Sequence, residues 1–184
     1  MHKVLIIFFI LNLYSPVFSS VKEKIVAQMK LTNNLSFNFI QTIDDKNENG
    51  KCIIKYPKKI WCKYDNSIKK IIVSNGKSLV IKTANKGSYY LYPLSKTPLN
   101  ILLDKNYLIS KIKTLEAREI DGKYLNFKFF ENNNEINVFF DIKSLNLIGW
   151  QTEDIYQNLV ITFISSVKIN QKINDKIFFL PKNN

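Results

Sequence analysis

The chain has 184 residues, of which 46% are apolar and 13% aromatic, and it carries a formal net charge of +12. This composition is typical of a folded protein and excludes a disordered basic tail. The lysines are spread along the chain rather than gathered in one block. The charge therefore indicates a surface that anionic membranes or acidic proteins would attract, with a merely solvated basic surface as the alternative.

The N-terminus predicts a secretory signal peptide over residues 1–20. A basic start precedes an apolar run over residues 4–13, and Val17 and Ser19 supply the small residues that a signal peptidase needs. The run is too short to span a membrane, although a buried helix or an anchor is the alternative. The nearest cysteine is Cys52, so cleavage cannot expose a cysteine for lipid attachment, and we expect a soluble exported protein.

Cleavage would also remove the only histidine, His2. Histidine bases, Ser-His and Cys-His pairs and HExxH zinc sites are then excluded. The chain has no GxSxG, GxGxxG or Walker motif. Paired carboxylates, Asp44 with Asp45 and Glu153 with Asp154, lie among turn residues, which indicates solvated loops. We therefore expect no enzymatic activity, no catalytic or metal site and no cofactor.

The remaining residues, 21–184, are expected to form a single domain, because about 165 residues suffice for one core. Nucleic acid is not expected as a partner outside the cytoplasm, and Arg118 is the only residue that could make the bidentate base contacts of arginine. We expect a monomer.

The first segment of this domain predicts an amphipathic helix over Val21–Leu31, because apolar residues recur there at helical spacing. The period then changes to two, which indicates β-strands. The first two strands are predicted over 37–43 and 52–56, on either side of a polar loop at 44–50. Further strands are predicted over 60–64, 70–74, 78–83 and 88–92, with Asn75-Gly76 as a hairpin turn.

Cys52 and Cys62 flank the turn that contains Pro57. If that turn is centred on Pro57, the cysteines lie opposite each other and can form a disulfide. If it is centred between Lys58 and Lys59, the cysteines are offset and act as small apolar residues on an inner face. The pattern leaves both alternatives open.

The strand pattern is interrupted over residues 93–107. Thr97 as N-cap and Pro98 as first helical residue predict a short apolar helix over 99–103. A further helical turn or two is predicted over 108–112. Strands resume over 125–131, 135–141, 145–152, 156–164 and 177–180. Short turns require antiparallel pairing, so the fold class is mainly β (α+β), a bent sheet of about ten strands with the inserted helix on its concave face.

Short motifs follow one another in order along the whole mature chain. They are FxQ at 39–41, GKCIIKYP at 50–57, IWCKYD at 60–65, VSNGKSL at 73–79, YPLSKTPL at 92–99, WxxxDxxxN at 150–158, and Phe178 with Pro181. In this order they resemble the outer-membrane lipoprotein carrier family, of the LolA type. The resemblance implies an incomplete antiparallel β-barrel whose concave side is covered by helices, with a hydrophobic cavity beneath a helical lid.

The resemblance also implies a function. It implies a periplasmic chaperone that takes acylated lipoproteins from an ATP-driven inner-membrane complex and transfers them to an outer-membrane receptor. Because that receptor is itself a lipoprotein, the missing cysteine favours the carrier. A periplasmic module that senses or binds lipid or lipoprotein with the same fold, without transporting it, is the alternative.

Strand alternation together with the resemblance predicts the residues of the lipid cavity. The cavity wall is predicted to contain Phe37, Phe39, Ile54, Tyr56, Ile60 and Cys62, and the lid to contain Leu99, Leu102 and Leu103. One position departs from the family. Tyr56 stands where the family has an arginine that hydrogen-bonds the lid, and a single hydroxyl donor replaces a fork of five N–H groups. We therefore expect weaker lid closure, with Tyr56 contacting the lid around 99–103; a plain wall aromatic is the alternative.

Overall fold

The computed structural model describes residues 20–84, 87–131, 134–154 and 157–182. The predicted signal peptide thus lies outside the described residues, except for Ser20. Its removal, and the predicted single domain over 21–184, stay predictions.

Within the described residues, eleven strands form one antiparallel sheet. Strands β1 to β6 are Asn34–Ile43, Lys46–Lys55, Lys59–Tyr64, Lys70–Asn75, Ser78–Thr83 and Tyr89–Pro93. Strands β7 to β11 are Arg118–Ile120, Tyr124–Glu131, Asn134–Asp141, Leu147–Glu153 and Leu159–Ile169. The helices are α1 at Val21–Leu31, α2 at Leu99–Leu102 and α3 at Lys105–Thr114, with 3-10 helices at Leu94–Lys96 and Asp175–Phe178.

The strand order is β6-β5-β4-β3-β2-β1-β11-β10-β9-β8-β7, so the first and last strands of the chain pair at the centre. Each half of the chain runs between this centre and its own edge of the sheet. Residues 94–117 must therefore cross from the edge at β6 to the edge at β7, and they carry α2 and α3. The two edge strands do not pair with each other in the described chain. The prediction of a mainly β, incomplete antiparallel barrel with an N-terminal helix is confirmed.

Helix α1 has the predicted bounds because its N-terminus carries a capping box. The Ser20 hydroxyl accepts a hydrogen bond from the Glu23 backbone N–H, and the Glu23 carboxylate accepts one from the Ser20 backbone N–H. The apolar side of the helix, Ile25, Val26 and Met29, is buried. Such a cap is worth about 1 kcal/mol, and the helix is held against the rest of the molecule by its buried side.

Three local predictions are wrong. The polar segment 44–50 is not a loop, because β2 starts at Lys46 and pairs with β1 in continuous register down to Ile43. Thr97 does not cap α2 with its side chain; its hydroxyl instead donates to the Leu94 carbonyl at 2.9 Å. The helix after α2 was also underestimated, since α3 has ten residues.

The predicted strand at 177–180 is wrong as well. Residues Asp175–Phe178 form a 3-10 helix on the convex face of the sheet. Phe178 is buried there, on the side where Val73 and Val80 point outward from β4 and β5. The strand β7, which sequence reasoning missed, has only three residues, two of them charged. Neither segment has the alternation that identifies a half-buried strand.

Every helix in the described part of the chain is too short or too polar to cross a lipid bilayer.

Candidate ligand-binding cavity

One half of the concave face is filled by helices. Helices α1 and α3 cover β8, β9 and β10, and the side chains between them are almost completely inaccessible; these include Leu108, Ile112, Phe127, Val138 and Phe140. A space of about 20 Å³ remains there, beside Met29 and Leu35, which is room for roughly one water molecule. We call this region, formed by β8, β9 and the start of β10 with α1 and α3, the filled half.

Helix α2 lies at the border of the filled half. Leu102 and Leu103 are 5% and 0% exposed, and with Leu99 they face Ile54 and Ile60 across a gap of about 10 Å³. Thus two of the predicted wall residues and all three predicted lid residues come together. They contact one another as a packed cluster, which leaves no room for a ligand at this position.

The other half of the concave face is open. A cavity of about 430 Å³ extends from the start of α2 along the inner faces of β3–β6, closed on its other side by β1, β10 and β11. We call it the open cavity, and its volume is in the range of small-molecule sites. Its apolar lining includes Phe39, Ile60, Cys62, Ile72, Leu79, Ile81, Leu99, Trp150 and Val160.

Apart from Tyr56, which is described below, the predicted site residues separate into three groups. Phe39, Ile60, Cys62 and Leu99 line the open cavity. Ile54, Leu102 and Leu103 belong to the packed cluster under α2, which Ile60 and Leu99 border as well. Phe37 is buried on the inner face of β1 without bordering the open cavity, and its ring lies edge-on to Trp150 at a centroid distance of 6.2 Å. Whether these residues contact a lipid stays a prediction.

Tyr56 faces α3. It borders the small space in the filled half together with Lys105 and Leu108, and Lys105 Nζ lies 5.9 Å from its ring centroid. Burial raises the pKa of the Tyr56 hydroxyl, which stays neutral at physiological pH.

The hydrogen bond that joins this hairpin to the end of α2 comes from Lys58, two residues further along. Its backbone N–H donates to the Leu103 carbonyl at 2.8 Å, and its Nζ lies 3.5 Å from Asp104 Oδ2. The Asp104 side chain also caps α3 by accepting from the Tyr107 N–H. Sequence reasoning missed Lys58 because a backbone donor leaves no mark on residue type.

The cysteine alternatives are resolved by the register. Ile54 pairs with Ile60 and Cys52 with Cys62, so the turn is centred on Pro57, whose bond to Tyr56 is cis. The two cysteines form a disulfide across β2 and β3. Both line the open cavity, and the bridge therefore joins two strands of its wall.

The end of the open cavity away from α2 is polar. The Tyr64 hydroxyl donates to Gln41 Oε1 at 3.0 Å, and Gln41 Nε2 donates to Thr162 Oγ1 at 3.1 Å. Lys70 Nζ lies 3.8 Å from the Tyr64 ring centroid and forms a close ion pair with Glu48. Burial, with a smaller effect of the Glu48 carboxylate, raises the pKa of Tyr64, so its hydroxyl remains a donor.

Sequence reasoning did not assign this polar end to the site. Gln41 appeared in a motif, but its partner Thr162 lies 121 positions away. The available signal was the two-residue period of the strand, because Gln41 lies two residues after Phe39 and therefore faces inward, as Phe37 and Phe39 do.

The sequence matches a family model described as outer membrane lipoprotein carrier protein LolA over residues 30–180. The chain belongs to the LolA family. The match includes all eleven strands, α2, α3 and every predicted site residue. The family prediction is confirmed, and the family includes lipoprotein carriers by its description. No curated protein sequence matches the chain.

Several solved structures are similar to this chain at low sequence identity. An uncharacterized conserved protein from Thermus thermophilus is 7% identical, with 88% of this chain and 93% of that chain covered and a TM-score of 0.53. A LolA superfamily protein from Nitrosomonas europaea is 11% identical, with coverages of 88% and 99% and a TM-score of 0.45. A Pseudomonas aeruginosa MucA/MucB complex contains a chain that is 9% identical, with coverages of 88% and 60% and a TM-score of 0.49. The Thermus protein supports the fold alone.

Proposed function

We propose that this protein is a non-enzymatic periplasmic carrier that shields the acyl chains of lipoproteins in the open cavity and transfers them from the inner to the outer membrane. The observation that carries the proposal is the open cavity itself, about 430 Å³ of mainly apolar lining next to a helix that packs as a lid. The family match supplies the class of cargo.

The energetics of such a cavity suit an acyl ligand. Each methylene group removed from water contributes about 0.8 kcal/mol, so even part of one acyl chain gives substantial affinity. Release is then the harder step. The packed cluster under α2 helps, because Leu99, Leu102 and Leu103 already bury one another in the empty protein. A stable empty state lowers the free energy that an acceptor must supply.

The partners follow from this cycle. They are the acylated lipoproteins as cargo, an ATP-driven complex that extracts them from the inner membrane, and a receptor or acceptor at the outer membrane. The protein acts as a monomer. Its net positive charge favours encounters with anionic membrane surfaces, where cargo is collected and delivered.

The test is a release assay with the exported protein purified from the periplasm. Inner-membrane vesicles that contain the extracting complex and a labelled lipoprotein are supplied with ATP, and the supernatant is examined by native mass spectrometry. We expect a one-to-one complex of protein and lipoprotein. Bound phospholipid alone, with no lipoprotein released, would support the sensing or binding module instead.

A matched pair of variants tests whether the open cavity is the site. Ile72 lines the cavity, whereas Ile71 on the same strand points to the outer face, where it pairs with Lys63 and Lys82. Ile72→Trp places a bulkier side chain in the cavity and should reduce lipoprotein release at least tenfold. Ile71→Trp adds the same indole to the outer face and should leave release unchanged. Equal release by both variants would exclude this cavity as the acyl site.

A further inference from the structure

The polar end of the open cavity contains hydrogen-bond donors that the protein itself does not use. Gln41, Thr162 and Thr152 lie on the inner faces of β1, β11 and β10, which are adjacent in the sheet. Gln41 and Thr162 are direct cross-strand partners, and Thr152 lies two residues beyond Trp150, the partner of Thr162 on β10. Gln41 and Thr162 are therefore neighbours on the cavity wall, and Thr152 lies on the same face, diagonal to Thr162 and directly opposite Val160.

Counting donors and acceptors shows what these three side chains lack. Gln41 Oε1 accepts from Tyr64, and Gln41 Nε2 uses one of its two hydrogens on Thr162 Oγ1. The Thr162 hydroxyl accepts that bond and donates to no acceptor in the described chain. Thr152, 6% exposed, makes no side-chain hydrogen bond to any described residue. Three donor hydrogens thus face a mainly apolar cavity, where a partner for each is worth more than in bulk water.

The surrounding charges decide which acceptor fits. Lys70, the cation of the cavity lining, is already paired with Glu48, and two carboxylates, Glu153 and Asp154, line the cavity as well. A carboxylate or phosphate inside the cavity would therefore find no cation free to neutralise it, and its burial would be costly. An ester carbonyl oxygen is neutral and accepts hydrogen bonds without donating any. In the ligand, this oxygen is next to the first methylene group of the acyl chain. That order of polar and apolar groups matches the cavity, whose lining changes from polar to apolar.

We propose that Gln41, Thr152 and Thr162 form a subsite for the ester carbonyl oxygens of an acylglyceryl group. The acyl chains then run from this subsite toward α2, along Ile60, Leu79 and Leu99. This inference rests on the proposed function, because it specifies how the same cavity holds its acylated ligand. Ester carbonyls occur in diacylglyceryl lipoproteins and in phospholipids, so the subsite recognises the linkage shared by both.

The test compares dioctanoylglycerol with its dioctyl ether analogue, which has the same chains but no carbonyl groups. Both compete for the cavity against an uncharged fluorescent alkyl probe. The wild-type protein should bind the ester about tenfold more tightly, as expected for one or two hydrogen bonds. Thr152→Val and Thr162→Val are nearly isosteric and should each lower the ester-to-ether ratio by threefold or more. Thr42→Val, on the outer face of β1, is the control and should keep the wild-type ratio.

The outcomes separate this inference from the proposed function. Equal affinity for ester and ether in the wild type, or a ratio that the two valine variants leave unchanged, overturns the subsite while acyl binding stands. Failure of both compounds to displace the probe contradicts acyl binding itself and overturns both proposals. Repeating the assay with a diacylglyceryl-cysteine peptide and with dioctanoylphosphatidylglycerol identifies the source. If the two valine substitutions weaken binding of the phospholipid but not of the lipopeptide, the subsite does not take part in lipoprotein binding.

Discussion

The two halves of the concave face are made from the same kind of strand and differ in what covers them. In the filled half, α1 and α3 bury the inward side chains of β8, β9 and the start of β10, and a space of about 20 Å³ remains. In the open half, the inward side chains of β3–β6 border about 430 Å³ of cavity. The alternation of the strands is similar in both. The position of the helices, rather than the sheet, therefore decides where this fold has a core and where it has a site.

The crossing segment explains this asymmetry. Residues 94–117 must connect the edge at β6 with the edge at β7, and the longer helix, α3, comes second. It packs beside α1 in the filled half, whereas the four-residue α2 reaches only the border of the open half. A short helix at this position leaves the inner faces of β4–β6 without a cover.

The largest expected effect comes from removing a ring in the filled half. Phe127 is completely buried and packs edge-on to Phe140. Phe127→Ala should cost about 3–5 kcal/mol in the free energy of unfolding, because it leaves a cavity in a close-packed region. Ile81, which borders the open cavity and is half-buried, should cost less than about 1.5 kcal/mol when changed to Ala. Urea denaturation measures both, and similar losses would show that the open half is packed as tightly as the filled one.

The second prediction concerns the disulfide, which joins two strands of the cavity wall. Only the four-residue α2 packs against β2 and β3, at Ile54 and Ile60, so a covalent link between these strands is expected to contribute more there. Replacing both Cys52 and Cys62 with Ala should lower the free energy of unfolding by about 2–3 kcal/mol, the range for a loop of this length. Reduction of the wild-type protein should give a similar loss. A loss below about 0.5 kcal/mol would mean that pairing alone holds this wall.

The sequence predicted which face of the sheet a residue lies on, but it did not predict which helix packs over that residue. Phe37, Phe39, Ile54 and Ile60 were assigned to the inner face, and the structure places them there, since a period of two fixes the side of a strand on which a residue lies. It could not show that α2 covers Ile54 while Phe39 faces the open cavity. That distinction depends on where a distant helix packs, which no strand pattern contains.

Two further contacts could not be predicted from the sequence: the hydrogen bonds at the polar end of the cavity and the hydrogen bond to the end of α2. Gln41 and Thr162 meet because β1 pairs with β11, a contact between the two ends of the domain. The Lys58 contact with Leu103 uses a backbone N–H that every residue except proline has. Tyr56, which differs from the family's arginine, lies in this hairpin. The residue that donates to the Leu103 carbonyl is nevertheless Lys58, and only the backbone structure shows this.

The third prediction concerns the border between the two halves. Asp104 caps α3 and faces the Lys58 ammonium. Asp104→Ala should lower the free energy of unfolding by about 1 kcal/mol, mostly through the lost cap. It should also speed hydrogen exchange at the Lys58 amide, because the Leu103 carbonyl is held less firmly. Lys58→Met removes the partly exposed ion pair alone and should cost at most about 1 kcal/mol.

Lys63, on the outer face of β3, provides the control for the lid. Lys63→Met should leave exchange at the Lys58 amide unchanged. If Asp104→Ala also leaves it unchanged, Asp104 does not contribute to holding the lid, and the hydrogen bond to Leu103 alone fastens it.

The smallest expected effect is on the pH dependence of stability, in a variant that should bind ligand as the wild type does. Asp141 lies at the end of β9 in the filled half, and its Oδ1 accepts from the Ser144 N–H at 2.6 Å. This backbone hydrogen bond, together with the Ser144 side chain, holds the pKa of Asp141 below its usual value. A carboxyl with a lowered folded-state pKa stabilises the protein above the unfolded-state value of about 3.9, and that contribution is lost as the pH falls through the folded-state pKa.

Asp141→Asn should therefore lower the melting temperature slightly at pH 6, with a difference from wild type that shrinks as the pH falls below about 4. Binding of the uncharged fluorescent probe at pH 6 should be unchanged, because Asp141 does not border the open cavity. A loss of binding in this variant would mean that the turn after β9 and the open cavity are coupled. A change in the stability of the filled half would then alter ligand binding in the open cavity, through the central strands of the sheet.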